Sequence, residues 1–206
     1  RLTSDGWRVA ISGRSQARLD EAIAAAAHPE RLLAVPLDVT DAAANQAAVA
    51  SIEAHWGPLD LAMLNAGDYR PMPLAEFDLA LFRQLMEVNY LGVVNGVGAL
   101  LPGMTAAGRG QILVVASLSG YCGLPNAAPY GASKAALINM AESLHPALAA
   151  QGVQLRVVNP GFVRSALTAK NTFEMPGLLE PDEAARYIVD ALPRSDFEIA
   201  FPPTLV

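Results

Sequence analysis

The chain has 206 residues, enough for one domain with a sizeable buried core, and its 52% hydrophobic and 17% charged content excludes a disordered chain. A net charge of −6 with scattered arginines leaves no basic stripe to bind a phosphate backbone, so nucleic acid is not an expected partner. One cysteine, Cys122, excludes an internal disulfide framework, and His28, His55 and His145 lie too far apart to suggest a metal site. The lone thiol fits a reducing cytoplasm, no signal-peptide core opens the chain, and the apolar stretch 91–104 is too short to span a bilayer. A cytoplasmic protein with no transmembrane segment is therefore expected. The chain does not begin with Met, and its true start is expected upstream of Arg1.

In chain order, short β-type runs alternate with long helical ones. A strand is predicted over 7–12 and a helix over 16–27. A second strand over 31–37 precedes a helix capped at Thr40-Asp41 and running to 56. The third strand, over 59–64, is nearly all apolar, as a strand covered on both faces should be. One long helix is predicted over 76–101 and a fourth strand over 111–116. A helix over 130–149 follows, with Pro146 expected to kink or shorten its last turns. A fifth strand over 154–158, a helix over 181–191 and a sixth strand over 197–201 complete the chain. This alternation implies right-handed crossovers and an α/β fold of Rossmann-like type, a doubly wound parallel sheet with helices on both faces, in a single domain over 1–206.

In such sheets a ligand lies beyond the carboxyl ends of the strands. The segments that follow the strands are Gly13-Arg14-Ser15, Asp38-Val39-Thr40, Asn65-Ala66-Gly67, Ser117-Leu118-Ser119-Gly120 and Asn159-Pro160-Gly161. All are small, polar or Gly-bearing. Each alone could be ordinary turn chemistry, but together on one edge they point to a long polar ligand.

The chemistry is carried by Ser117 and by Tyr130-Gly131-Ala132-Ser133-Lys134. Tyr and Lys at that spacing on a helix share a face, so the ammonium can lie beside the phenol and favour its ionised form. A tyrosine so placed can take a proton from an alcohol or give one to a carbonyl oxygen as hydride moves, and Ser117 can donate a hydrogen bond to the same oxygen. The alternative is a chance surface pair, weakened by the fact that only Lys134 and Lys170 are lysines.

Asn65-Ala66-Gly67 after a strand, Asn89 in the next helix, Ser117, Tyr130-x-x-x-Lys134 and Pro160-Gly161 follow the order and approximate spacing of the short-chain dehydrogenase/reductases. The chain resembles that family closely to about residue 165 and more loosely beyond. The resemblance implies an enzyme that moves hydride between a nicotinamide cofactor and a small alcohol or carbonyl substrate. It implies Tyr130 as acid/base, Lys134 lowering its pKa and holding the nicotinamide ribose, Ser117 orienting the substrate oxygen, and Asn89 holding a water that links Lys134 to solvent. Tyr90 and Tyr121 match no catalytic position and are read as packing or pocket lining.

The resemblance also assigns cofactor positions. Asp38 and Val39 match the adenine contact, Asn65, Ala66 and Gly67 the turn along the adenosine ribose, and Pro160, Gly161 and Val163 the segment under the nicotinamide. Ser165 stands where the family usually has a Thr. For Asp38 the alternative is a plain helix N-cap. After the first strand stand Arg14 and Ser15 with no acid. An acid there would repel a 2′-phosphate and an Arg attracts it, so NADP(H) is preferred with NAD(H) as the alternative; a merely solvated Arg14 is the competing reading.

The family's first strand and Gly-rich turn are absent from the chain, and residues 1–6 read as the end of the helix that follows that turn. An N-terminal segment of roughly 20–30 residues is expected to precede Arg1, its strand lying between the first and third strands seen here. Without it, two strand edges would stand unpaired in the core at about 1–3 kcal/mol for each backbone group. Residues 166–179, with Leu167, Phe173, Met175, Pro176 and Leu178, are apolar. Together with Tyr69, Leu118, Tyr121 and Leu124 they suggest a hydrophobic substrate pocket, although simple packing of the lid explains them equally. A catalytically silent cofactor-binding regulator and a sugar-nucleotide epimerase are the competing functions; the intact Tyr and Lys argue against the first, and the short C-terminal portion against the second. A homodimer or homotetramer formed through the two long helices is also implied.

Overall fold

A computed structural model describes residues 1–206 as six strands and six α-helices in alternation. The strands are β1 (Val9–Gly13), β2 (Leu32–Pro36), β3 (Leu61–Leu64), β4 (Gly110–Val115), β5 (Val153–Pro160) and β6 (Glu198–Phe201). The helices are α1 (Gln16–Ala24), α2 (Ala42–Trp56), α3 (Leu79–Met86), α4 (Gly92–Ala107), α5 (Ala128–Ala149) and α6 (Pro181–Ala191). Every strand pairing is parallel.

β4 shows why the sheet is covered on both faces. Ile112 and Val114 point one way, into a cluster with Val93, Val97 and Leu100 of α4 and Leu137 and Ala141 of α5. Leu113 and Val115 point the other way, into a cluster with Val158, Ile199, Phe201 and Ala184 of α6. The alternation of a strand thus becomes two cores, each fully buried side chain stabilising by about 1.5–3 kcal/mol.

The pairing is not one continuous sheet. β1 pairs only with β2, and β3-β4-β5-β6 form a separate four-stranded sheet. Between the free edges of β1 and β3 lies a cavity of about 220 Å³ lined by 20 residues, 16 of them hydrophobic, among them Val9, Ala10, Ile52, Ala62, Leu64 and Leu100. The gap falls where the family resemblance puts a further strand.

The single helix expected over 76–101 is three segments. Asp78 caps α3, its carboxylate accepting from Ala80 N at 2.8 Å, so the helix starts at Leu79. A π-helical turn at Glu87–Leu91 then adds a residue to the helical repeat, and α4 runs on to Gly108. By length and hydropathy the run Leu79–Ala107 could cross a membrane. Its apolar face is instead packed inside the core through Val93, Val97, Leu100 and Met104. Helix α5 continues through Pro146 to Ala149 rather than ending early.

Candidate functional site

At the carboxyl end of β4, Ser117 is buried and extended, its Oγ accepting from Ser119 N at 3.1 Å. The following turn folds back onto the start of α5, which carries Tyr130 and Lys134 on the same side. The Lys134 ammonium lies 5.7 Å from the centroid of the Tyr130 ring, and the Ser117 hydroxyl lies close enough to the phenol to lower its pKa. The triad expected from spacing is thus assembled in space.

The electrostatics depart from the expectation. Burial raises the Tyr130 phenol above its ordinary value; the nearby Ser117 hydroxyl lowers it part of the way back, and Tyr69 adds a further upward push. Lys134 is not what sets this balance. Its Nζ donates to Val115 O at 2.8 Å, and burial lowers its own pKa to about 8. The expected lowering of the tyrosine by the ammonium is therefore corrected: in this geometry desolvation dominates both groups.

Asn89 sits fully buried in the π turn, which rotates it inward. Its Oδ1 accepts from Asp68 N at 2.7 Å, and its Nδ2 donates to Asp68 O at 2.9 Å and to Ser133 Oγ at 3.0 Å. Ser133 in turn donates to Tyr130 O at 2.7 Å. Asn89 is thereby tied to the turn after β3 on one side and to helix α5 on the other. Lys134 and Asn89 meet at Gly67, where an added Cβ would lie 3.3 Å from Asn89 Oδ1 and 3.6 Å from Lys134 Nζ.

The other strand-end residues line the same edge. Arg14 and Ser15 are exposed after β1, and Ser15 caps α1 by accepting from Arg18 N. Asp38 is exposed; hydrogen bonds from Thr40 N at 3.0 Å and Thr40 Oγ1 at 2.8 Å hold its carboxyl below the usual range, with the Arg14 charge contributing. Asp38 is not the cap of α2; Asp41 is, accepting from Ala44 N. Val39 accepts through its carbonyl from Asn45 and Asn95, each at 3.0 Å. Asn65 and Ala66 are exposed beyond β3. Pro160 ends β5, Gly161 N donates to Phe201 O, and Val163 pairs with Leu179. The Ser165 hydroxyl is engaged with Thr168, whose Oγ1 also donates to Val163 O at 2.7 Å.

Several participants were not singled out from sequence. Asp68 and Ser133 join Asn89 to Tyr130, and Thr168 organises the Ser165 turn. Tyr69, expected only as pocket lining, makes an edge-on contact with Tyr130 at 5.1 Å between ring centroids. The only available signal for Asp68 was its place directly after Asn65-Ala66-Gly67. Tyr90 packs against the core as expected. Tyr121 is exposed, with its phenol bonded to Glu198 and accepting from Asn159 Nδ2 at 3.1 Å; burial of the hydroxyl and the Glu198 carboxylate push it up to about 12. In the lid, Phe173 stands edge-on to Phe162 at 5.7 Å.

The chain is similar to known proteins in sequence and fold. The sequence profile described as short chain dehydrogenase matches residues 1–175. An uncharacterized oxidoreductase of Myxococcus xanthus is 38% identical over 98% of this chain and 80% of its own length. The cis-4-hydroxycyclohexanecarboxylate dehydrogenase of Sinomonas cyclohexanicum is 33% identical over 95% of the chain and 77% of its own. The crystal structure of a short chain dehydrogenase from Burkholderia cenocepacia in complex with NADP superposes with a TM-score of 0.81 at 26% identity, covering 94% of this chain and 76% of that one. With its tyrosine, serine and lysine held as described, the chain belongs to the short-chain dehydrogenase/reductase family and is an NAD(P)-dependent oxidoreductase.

Proposed function

We propose that the protein transfers hydride between NADP(H) and a small, hydrophobic alcohol or carbonyl compound, with Tyr130 as general acid/base. The observation that carries this reading is the convergence of the Ser117 hydroxyl and the Lys134 ammonium on the Tyr130 side chain. A bound nicotinamide supplies the hydride in reduction and accepts it in oxidation. Tyr130, kept protonated by burial, donates its proton to the carbonyl oxygen as the carbon is reduced; the Ser117 hydroxyl steadies that oxygen and favours the phenolate left behind, and Lys134 would hold the cofactor's ribose. Because the raised pKa favours the protonated phenol, reduction is suited to neutral pH, and oxidation, which needs the phenolate, gains rate as pH rises.

The residues present fit the cofactor. Lys134 has three donors, of which one is used on Val115 O, and it is buried beside the bare Gly67 turn, so hydroxyls of a ribose match its remaining valence. Arg14 with Ser15 would meet a 2′-phosphate, Asp38 and Val39 the adenine, Asn65, Ala66 and Gly67 the adenosine ribose, and Pro160, Gly161, Val163 and Ser165 the nicotinamide. Arg14 in place of an acid supports NADP(H) over NAD(H). The Burkholderia cenocepacia structure with NADP supports the same choice. The apolar lid, with Tyr69 and Leu118, supports a hydrophobic substrate. The Sinomonas relative's name makes a cyclic alcohol a suitable first probe.

A homodimer through α4 and α5 is part of the proposal, supported by Ala132 and Ala135 being exposed on α5. A cytoplasmic location rests on the unpaired Cys122. The silent-regulator reading is not favoured, because similar proteins are named for oxidoreductase activity.

The test is absorbance at 340 nm with NADPH or NADH against a panel of aldehydes and ketones, using wild type and Tyr130→Phe. Turnover should be faster with NADPH, and Tyr130→Phe should lower kcat by about 10²- to 10⁴-fold while NADPH affinity stays within a few-fold. Undiminished turnover in Tyr130→Phe rejects the assignment of the base. Tight NADPH binding without turnover of any carbonyl restores the regulatory reading.

A further inference from the structure

Lys170 stands in the short 3₁₀ turn Thr168–Lys170 of the lid, and its Nζ reaches across the site mouth to Asp68 Oδ1 at 3.2 Å and to Tyr69 O. Every other hydrogen bond of residues 166–179 closes within 162–180. Lys170 is therefore the one polar link from the lid to the opposite wall. What it grips adjoins the Tyr130 site through backbone atoms. The backbone of Asp68 is held at both N and O by the buried Asn89, which reaches Tyr130 O through Ser133. Tyr69, whose carbonyl accepts from Lys170, rests its ring against Tyr130.

We propose that Lys170 and Asp68 form a latch that holds the lid closed over bound substrate and sets Tyr69 against Tyr130, making both of them positioning residues for the substrate. The inference rests on reading Tyr130 as the acid/base. A latch on the substrate side acts on substrate retention rather than on proton transfer, so its loss shows in KM more than in kcat. Both side chains are about two-fifths exposed, at 41% and 38%, so salt screens the pair and its effect is modest.

The test uses Lys170→Gln, Asp68→Asn, the double variant and Lys170→Arg in the full-length protein. Asn keeps the acceptor for Tyr69 N, which bonds Asp68 Oδ1 at 2.7 Å, so the local turn survives. Each neutralising variant should raise the carbonyl KM about three- to fivefold with kcat changed less than twofold. The double variant should be no worse than either single one, and Lys170→Arg should stay near wild type. Added salt should raise the wild-type KM toward that of the variants.

A second readout needs no turnover. Chymotrypsin cleavage after Phe173, which lies in the lid and is not altered by these changes, should quicken about three- to fivefold in both neutralising variants. It should be unchanged in Arg194→Gln, whose ion pair with Asp196 lies outside the lid. Unchanged cleavage overturns the latch whether or not the enzyme turns over. Faster cleavage with unchanged KM, or single effects that multiply in the double variant, overturns the positioning role. Loss of turnover in Tyr130→Phe with faster cleavage in Lys170→Gln supports both readings; normal turnover in Tyr130→Phe sinks only the first.

Discussion

Lys134 carries its ammonium to a place only 4% exposed, where a single carbonyl, that of Val115, accepts from it. Desolvation disfavours the charged form, so the folded pKa, about 8, lies below the value of 10.5 for the free side chain. The sign of the linkage follows. Between about pH 8 and pH 10.5 the unfolded chain holds more protons than the folded one, so this group makes stability rise with pH, by at most about 1.4 kcal/mol per unit. Below pH 8 the whole cost of burying the ammonium is present. Replacing it by Met removes that cost, partly offset by the lost hydrogen bond of about 1 kcal/mol. Urea unfolding should therefore show Lys134→Met more stable than wild type by up to about 2 kcal/mol at pH 7, with the difference shrinking toward pH 10. A stability difference independent of pH would show that the ammonium is not buried as described. At this scale Tyr130 and Lys134 were legible because helix spacing alone fixes which residues share a face, and Ser117 because it follows a strand at the sheet's carboxyl edge. Asp68 and Ser133 were not, since their role exists only once the turn after β3 meets the π turn and α5.

The elements show a similar division between local and tertiary causes. Helix α6 matches the expected 181–191 because Glu180 and Glu183 form a capping box written in the sequence. The π turn at Glu87–Leu91 was hidden: nothing in the hydrophobic period marks an added residue, yet that residue turns Asn89 into the site. The turn from α5 into β5 is also set by tertiary contact. Gly152 has φ +76°, and a Cβ there would come within 2.0 Å of Gly108 O, the left-handed cap that ends α4. Gly152→Ala combines left-handed backbone strain of about 1–2 kcal/mol with overpacking of about 1–3 kcal/mol. A loss of about 2–4 kcal/mol in urea unfolding is expected, with kcat of the surviving folded enzyme unchanged, since this turn precedes β5 and the site follows it. A loss under about 1 kcal/mol would mean that the two turns separate easily.

Across the whole molecule, the doubly wound order was legible from the alternation of strands and helices, but the break in the sheet was not. No periodicity in 7–13 or 59–64 says that β1 and β3 fail to pair; only the family resemblance pointed to a gap there. The break has an energetic consequence. Neither of the two core clusters around the four-stranded sheet contains a residue of β1 or β2. The β1–β2 pair is held to the rest by helix packing, by Asn95 Nδ2 donating to Val39 O at 3.0 Å, and by Gly92, whose bare Cα lets α4 approach Val39 in the segment after β2. Two strands alone are marginal in water, so this half should open before the other. In hydrogen exchange of the 206-residue chain, amides of β1 and β2 should exchange at least about tenfold faster than those of β4 and β5, through a sub-global opening. Asn95→Leu should widen that ratio by loosening the β1–β2 half alone. Equal protection in both halves would show that α2 and α4 transmit enough packing across the gap for the chain to unfold as one unit.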